Sequence, residues 1–395
     1  MGTQAGLLQR GRGLGVVEAH RDPAAASLVL DIVTQDWCWD FADARELYGA
    51  RLVRDLELPL DPLVALLRDA DEHACARGSG MLCLLARGGS AEAREALRAY
   101  VRDGEHWEDT LVDMARDWPV AWWDDLADVA RARLDGRQPY LWRSEPWKRW
   151  RDRIPLQRRE RPAGRHRYDL GPRPDRLLAV LVDPGEGDSA KGQALHTLAG
   201  RPPEPALLSL VPELGSADGG RPLPMLGPAV SRLGAHAVPR AREWARDGRT
   251  WLEWIGLDVL ARHGERSDVP RLTEALEDEW WQGNWCGPAV LAEGLARHGA
   301  AAADAVPTLR KFWRHTPHSH ERPAYLEALA AIDPTGLEPV YVESLWDCEE
   351  KARLLAIASA PDLPVVRQRL AELADDPIEE PEVRAAAKTR VDSLS

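Results

Sequence analysis

Apolar residues recur every three or four positions along most of this chain, and one such pattern occurs twice in succession. Residues 257–264 and 291–299 each place leucines at this spacing and then end in Ala-Arg-His-Gly. An aspartate and then a Val-Pro pair follow in both copies, with the aspartates at Asp268 and Asp304. The glycine is typical of a helix end, and the aspartate and proline are typical of a helix start. Each copy therefore predicts a helix, a turn and a second helix that begins at an aspartate cap.

Units of this length cannot bury their apolar faces alone, so the repetition predicts helix pairs stacked on one another as an α-solenoid. Prolines mark the predicted starts of second helices, at Pro239, Pro270, Pro307, Pro339 and Pro364. The stretch from Leu7 to Leu134 is also helical in its spacing, with few β-branched runs and no hairpin signals. The predicted fold class is all-α.

The last predicted unit carries a recognisable motif. Residues 376–387 read Asp-Pro-Ile-Glu-Glu-Pro-Glu-Val-Arg-Ala-Ala-Ala, which resembles the Asp-Pro-x-Val-Arg-x-Ala-Ala signature of HEAT repeats, including the short repeats of the bilin-lyase type. The resemblance covers residues 190–395 well and residues 60–135 loosely. It implies an α-solenoid of HEAT-like helix pairs, and because HEAT arrays are mostly interaction scaffolds it implies binding as the default role.

A stretch rich in arginine and proline interrupts the helical spacing between residues 137 and 176. It contains 13 basic residues against 5 acidic ones, and its prolines disfavour one continuous helix. We therefore expect three parts. They are an N-terminal, degenerate HEAT-like array at residues 1–136, an Arg/Trp/Pro-rich linker at residues 137–176, and a C-terminal HEAT-repeat array at residues 177–395.

The overall charge excludes some classes of partner. The 51 basic and 64 acidic residues give a formal net charge of −13, which argues against a protein that grips nucleic acid or an anionic membrane with its whole surface. No stretch is apolar enough for a membrane helix, and the first residues lack the features of a secretory signal. Five scattered cysteines without a Cys-x-x-Cys pair favour reduced thiols. We expect a cytoplasmic protein with no membrane contact, no metal and no cofactor.

Tryptophan is unusually frequent, with 17 residues against 2 phenylalanines, and in the C-terminal half its positions recur in phase with the predicted units. Large rings at this register either fill the space between successive helix pairs or line a concave face as a binding strip. The sequence leaves both alternatives open. Under the second, the predicted binding residues are Trp244, Trp254, Trp281, Trp285, Trp313 and Trp346.

The arginine-rich stretch supports three interpretations. Its charges can dock on the acidic arrays without any ligand, contact nucleic acid together with the interleaved indole rings, or receive an acidic protein. The residues expected to supply this charge are Arg143, Arg149, Arg153, Arg158 and Arg159.

A catalytic alternative follows from the resemblance, because some alkylpurine DNA glycosylases are built from HEAT-like repeats. In that family an aspartate and tryptophans in a basic groove stabilise the charged sugar that forms as the damaged base leaves. Here Trp39 with Asp43, and Trp254 with Asp258, stand one helical turn apart, and the run Trp-Trp-Asp-Asp at 122–125 offers a third pair. The candidate catalytic residues of this alternative are Asp43, Asp124 and Asp258. No wider motif of the family surrounds them.

The sequence thus predicts a non-catalytic α-solenoid scaffold that binds a macromolecular partner through a tryptophan-rich concave face. A protein is the expected partner, and nucleic acid is the alternative, through residues 137–176. The competing prediction is a HEAT-like DNA-binding protein, or a DNA glycosylase that acts on alkylated bases.

Overall fold

The computed structural model describes residues 2–22, 24–35, 45–154, 173–216 and 219–394, and within these ranges it consists of helices and turns without a β-strand. Contacts divide the chain into two compact units. Unit 1 comprises Met1–Pro162, Pro317–Pro323 and Gly336–Ser395, and unit 2 comprises Ala163–Thr316 and Ala324–Thr335. None of the helices in the described ranges combines the length and the apolar character needed to span a membrane.

The helices of unit 1 come from both ends of the chain. The N-terminal ones are α1 (Gln4–Gln9), α2 (Gly13–Ala19), α3 (Ala25–Thr34), α4 (Glu46–Asp55), α5 (Asp61–Leu66), α6 (Glu72–Arg87), α7 (Ala91–Asp103), α8 (Trp107–Asp117) and α9 (Ala127–Leu134). Unit 2 contains α10 (Pro174–Val182), α11 (Asp188–Ala199), α12 (Leu226–Ser231), α13 (Val238–Trp244), α14 (Thr250–His263), α15 (Val269–Gln282), α16 (Pro288–Ala296), α17 (Val306–His315) and most of α18 (Arg322–Ile332). The chain then returns to unit 1 with α19 (Glu338–Ser344), α20 (Glu350–Ser359), α21 (Pro364–Asp375) and α22 (Pro381–Leu394).

Short 3₁₀ helices connect several of these elements. They are Val120–Trp122, Asp124–Leu126, Pro205–Ser209, Val211–Glu213, Gly234–Ala237, Arg266–Asp268, Gly299–Ala305 and Ser319–Glu321.

Both copies of the repeated pattern fold as a helix, a turn and a second helix in unit 2. α14 ends at its C-cap residue Gly264, and α15 and α17 each carry a proline in the first turn. The N-cap residue of α17 is Ala305 rather than the expected Asp304. Asp268 is the N-cap residue of α15 as expected, but its side chain makes no cap hydrogen bond to a described residue. Instead, Asp268 accepts a hydrogen bond from the backbone N–H of Glu265 (2.8 Å) and so closes the 3₁₀ turn that precedes α15.

The two neighbouring helix pairs contact each other closely. α14 contacts α16, and α15 contacts α17. At the first of these contacts a Cβ added to Gly294 would lie 2.6 Å from both Cα and Cβ of Ala261, a separation that backbone atoms do not tolerate. Glycine is therefore needed in the middle of α16 despite its low helix propensity, because it lets two helix backbones approach each other.

Arginines from later helices bond to the carbonyl groups at the ends of earlier ones. Arg297 follows α16, and its Nη1 donates to the carbonyl of Ala261 near the end of α14 (2.6 Å). In unit 1, Arg133 on α9 donates to the carbonyls of Val101 (2.9 Å) and Gly104 (2.6 Å) at the end of α7. The last carbonyls of a helix have no partner within the helix, so these contacts satisfy groups that would otherwise need water. This use accounts for part of the arginine content.

The C-terminal segment packs on the N-terminal helices within unit 1. Arg51 on α4 pairs with Asp376 (3.0 Å) and with Glu379 (2.6 Å), and Glu379 also pairs with Arg353 on α20 (2.8 Å). All four side chains are buried. Arg54 adds a further bond to Asp376 (2.7 Å). The two units therefore differ from the expected division into residues 1–136 and 177–395, because buried ion pairs hold residues 336–395 to the start of the chain.

The described part of the expected linker is also folded onto unit 1. Trp147 and Trp150 are buried, with their rings 5.9 Å apart. Trp147 lies against the ring of Trp107 on α8 (6.1 Å), and Trp150 lies against Trp123 (5.6 Å). Trp147 and Trp150 thus bury apolar surface against the N-terminal part of unit 1.

The buried ion pairs predict a dependence of stability on pH. Burial by itself would raise the pKa of Asp376 and of Glu379, but the arginines paired with them outweigh this effect and lower both pKa values. A carboxyl group with a lowered folded-state pKa stabilises the fold above its ordinary pKa and loses that contribution as the pH falls through the folded-state value. We expect the free energy of unfolding of unit 1 to fall as the pH drops below the ordinary carboxyl values of 3.8 and 4.5.

Urea unfolding followed over a series of pH values, from neutral to about pH 3, measures this effect. Glu379→Gln should reduce the fall in the free energy of unfolding at acidic pH, which is the acid limb of the curve. Glu380→Gln, which changes an exposed neighbour, should leave the acid limb unchanged. Equal acid limbs in the two variants would contradict the assignment.

Candidate functional site

The candidate catalytic aspartates have different surroundings. Asp124 accepts hydrogen bonds from Arg149 Nε (3.0 Å), Arg153 Nη2 (2.7 Å) and Trp150 Nε1 (3.0 Å). The hydrogen bonds from Arg153 above all, with those from Trp150 and Arg149, lower its pKa to about 2. Asp124 therefore stays ionised and helps to fasten the arginine-rich stretch to unit 1, which is a structural use of the side chain.

The other two candidate catalytic aspartates are Asp258 and Asp43. Asp258 on α14 is half-buried and pairs with Arg262 one turn later (2.9 Å). Asp43, with Trp39, lies outside the described residues. The glycosylase alternative stays a prediction, and Asp258 with Trp254 is the pair on which it still depends.

The six predicted binding tryptophans divide by exposure. Trp244 and Trp313 are buried, at 3% and 5% exposure, so they belong to the interior of unit 2. Trp254, Trp285 and Trp346 are half-buried. Trp281 differs from all of these because it is 78% exposed.

Trp254 is partly covered by the loop that precedes α16. Gly287 in this loop has a φ of +107°, and a Cβ at this position would lie 2.8 Å from Cζ2 of the Trp254 ring. Glycine is therefore required twice over, by its backbone conformation and by the ring beneath it. One edge of the indole is thus closed to a partner.

Trp281 lies at the edge of an aromatic cluster in unit 2. Trp280 is in contact with Trp285 (ring centroids 5.5 Å apart) and with Phe312 on α17 (5.4 Å), and Phe312 stacks on Tyr325 of α18 (5.3 Å). These edge-to-face and stacked pairs fix the rings in place. We call Trp280, Trp281, Trp285 and Lys311 the Trp281 surface.

A helix end positions this surface. α15 stops at Gly283, which has the left-handed conformation (φ +70°), and the N–H of Asn284 donates to the carbonyl of Glu279 (3.0 Å). This arrangement is a Schellman motif, in which glycine reverses the chain direction at the end of a helix. The reversal returns Trp285 to the ring of Trp280, while Trp281, one residue further round the helix, faces solvent.

Lys311 adds charge to the Trp281 surface. Its Nζ lies 5.7 Å from the ring centroid of Trp280 and 5.6 Å from that of Trp281, within the range of a cation–π contact with each. Lys311 is exposed and forms no ion pair with a described residue. Lys311 was not predicted from the sequence, although its place in the second helix of the next unit is a signal that points to it.

The predicted arginines are partly engaged. Arg149 and Arg153 pair with Asp124, as described above, and Arg143 lies over the ring of Trp142 (4.7 Å to the centroid). Tyr140, two residues before Trp142 in the chain, is 85% exposed and was not predicted from the sequence. Arg158 and Arg159 lie outside the described residues. Of the three interpretations of this stretch, docking on acidic groups of the same chain describes Arg149 and Arg153.

Comparison with known proteins does not assign the chain to a family. No family model matches it, and no curated protein matches it. Among solved structures it matches the crystal structure of an engineered protein at 15% identity, over 99% of this chain and 98% of that one, with a TM-score of 0.30. A TM-score this low does not establish a shared fold, so function has to be argued from the site itself.

Proposed function

We propose that this protein is a non-catalytic, HEAT-like helical scaffold that binds a protein partner through the Trp281 surface. The single observation that carries the proposal is the 78% exposure of Trp281 on a rigid cluster of rings. Tryptophan is among the residues that contribute most to binding energy at protein interfaces. Trp281 stands in the last turn of α15, so the backbone that carries its ring is already ordered before a partner covers it.

The chemistry of the surface specifies the partner. The Trp281 ring fits an apolar pocket on the partner, and the ammonium group of Lys311 fits a carboxylate beside that pocket. Half-buried Trp285 and the exposed polar residues Gln282 and Asn284 follow Trp281 in the chain, and we assign them to the rim of the contact. The partner is therefore a protein with an acidic margin around an apolar pocket.

The helix pairs support the HEAT-like part of the proposal. α14 stacks on α16 and α15 on α17, with Gly294 at the closest point and Arg297 bonded back to the preceding pair. Contacts between neighbouring pairs of this kind are what a solenoid requires, because each repeat buries its apolar face on the next one. The Trp281 surface is formed by two successive pairs, through α15 and α17, so it depends on that stacking.

A photo-crosslinking experiment tests the binding role. Cys286 is an exposed cysteine five residues after Trp281, whereas Cys75, Cys83 and Cys348 are buried. In a Cys38→Ser background, a benzophenone attached to Cys286 should give a discrete protein adduct in an extract of the native cell. Trp281→Ala should reduce that adduct by about tenfold or more, because loss of a central tryptophan costs about 2 kcal/mol or more of binding free energy.

Val182→Ala is the matched control, since Val182 is an exposed apolar residue of unit 2 at 59% exposure. It should leave the adduct unchanged. An adduct that survives Trp281→Ala undiminished would refute the assignment of the surface. A nuclease-sensitive adduct would instead favour the DNA-binding alternative.

A further inference from the structure

Unit 1 contains a cavity of about 670 Å³ where the C-terminal ends of α2, α4 and α21 meet. This volume lies within the range of small-molecule sites in proteins, about 300–1,000 Å³. Its apolar wall comes from Val17, Trp346 and Pro377, and its remaining lining consists of His20 and of arginine, aspartate and glutamate side chains. None of these residues belongs to the Trp281 surface, so the cavity is independent of the function proposed above.

One side of the cavity attracts an anion. Arg369 is 6% exposed and lies over the ring of Trp346 (5.1 Å to the centroid), with Nη1 bonded to Glu372 (3.1 Å). Its Nη2 makes no hydrogen bond to a residue that the structure describes. Burial, together with the nearby charge of Arg51, lowers the pKa of Arg369. Arg21 also lines the cavity, and its side chain forms no ion pair among the described residues.

The other side attracts a cation. Asp375 is the last residue of the 12-residue helix α21, where the helix dipole is negative, and its carboxylate pairs with no described residue. The remaining acids of the lining are already neutralised. Asp376 and Asp55 bond to Arg54 (2.7 and 2.8 Å), and Glu372 bonds to Arg369.

Arg21 and Asp375 therefore present opposite charges on the walls of one cavity without pairing with each other. Both side chains are exposed, so a ligand that carries both charges can bond to each of them without breaking an existing ion pair to a described residue. We propose that this cavity binds a small zwitterion whose ammonium and carboxylate groups are several bonds apart, such as a short peptide or an ω-amino acid. The carboxylate bonds to Arg369 Nη2 and Arg21, the ammonium group bonds to Asp375, and the connecting chain lies against Trp346.

Isothermal titration calorimetry with triglycine, and with its N-acetylated and C-amidated forms, tests the proposal. We expect triglycine to bind with a Kd of about 1 mM or tighter, a value reasonable for a ligand of this size. Removing either charge should weaken binding by about tenfold or more, since a charged hydrogen bond contributes about 1.5–3 kcal/mol. The indole N–H resonance of Trp346, identified by comparison with Trp346→Phe, should shift during the titration.

Two variants change the exposed residues Asp375 and Arg21 and leave buried Arg369 intact. Asp375→Asn should weaken triglycine about tenfold yet leave the affinity for the N-acetylated form unchanged, because that form has no ammonium group. Arg21→Gln should likewise weaken triglycine about tenfold and leave the affinity for the C-amidated form unchanged, because that form has no carboxylate. Arg151→Gln, an exposed arginine elsewhere in unit 1, is the control and should change nothing. The proposal is overturned if triglycine does not bind at about 10 mM, if the blocked forms bind as tightly, or if Asp375→Asn and Arg21→Gln leave the affinity for triglycine unchanged.

Discussion

Glu379→Gln is expected to lower the free energy of unfolding of unit 1 by about 3–5 kcal/mol, the usual cost of removing one partner from a buried ion pair. Glu379 is 1% exposed and accepts hydrogen bonds from Arg51 (2.6 Å) and Arg353 (2.8 Å). Glutamine has almost the same shape but no charge, so Arg353 would lose its counter-charge and Arg51 would keep only Asp376, while both guanidinium groups remain buried. The whole cost therefore falls on electrostatics and not on a cavity.

Denaturant unfolding measures the total change, and hydrogen exchange identifies where it occurs. Protection should fall in α4 and α22, which belong to unit 1, while α14 and α16, which belong to the other compact unit, should keep theirs. Glu380→Gln is the control, since Glu380 is the exposed neighbour, and it should change stability by no more than about 0.5 kcal/mol. If Glu379→Gln were as mild as its control, the ion pairs would not be what holds the C-terminal segment in place.

The local structure of this chain could be predicted from its sequence to a large extent. Apolar spacing identified the helices, and a glycine or a proline marked the ends of α14, α15 and α17. The hydrogen bonds of the Asp268 side chain could not be predicted reliably, because two other uses compete with a cap hydrogen bond. Asp268 closes a 3₁₀ turn and pairs with Arg242 (2.7 Å), which lies 26 residues earlier. A tertiary partner changed the role that local spacing suggested.

The assembly of unit 1 could not be predicted in the same way. Arg51 and Glu379 are 328 residues apart, and neither carries a local signal that it will be buried. Charged residues are usually exposed, so a charge that is buried beside a distant partner runs against the expectation from composition. The same limit applies to the grouping of residues 336–395 with the N-terminal helices.

The candidate site shows a similar limit at shorter range. Trp280 and Trp281 are adjacent in sequence, yet one is packed in the aromatic cluster and the other is 78% exposed. Successive residues of a helix point about 100° apart, so the repeat register alone could not say which ring faces the interior. Lys311 became part of the surface only because α17 packs beside α15.

Trp150→Ala is expected to lower the free energy of unfolding of unit 1 by about 3–5 kcal/mol, the range for removing a large aromatic ring from a core. Trp150 is 0% exposed, lies 5.6 Å from the ring of Trp123, and donates its indole N–H to Asp124 (3.0 Å). The change would leave a cavity beside Trp147 and would remove one hydrogen bond from a carboxylate that also anchors Arg149 and Arg153. A solvated linker would show no such loss, so urea unfolding separates the two interpretations of this stretch.

Tyr140→Ala supplies the matched control within the same stretch, because Tyr140 is 85% exposed and has little packing to lose. It should shift stability by no more than about 0.5 kcal/mol. Limited proteolysis gives a second readout, since cleavage after Arg149, Arg151 or Arg153 should accelerate in Trp150→Ala, whose segment is released more often, and should stay slow in Tyr140→Ala. Equal stability and equal cleavage in the two variants would mean that residues 143–154 behave as a linker in solution, and the ion pairs of Asp124 would then carry no weight in holding the segment to unit 1.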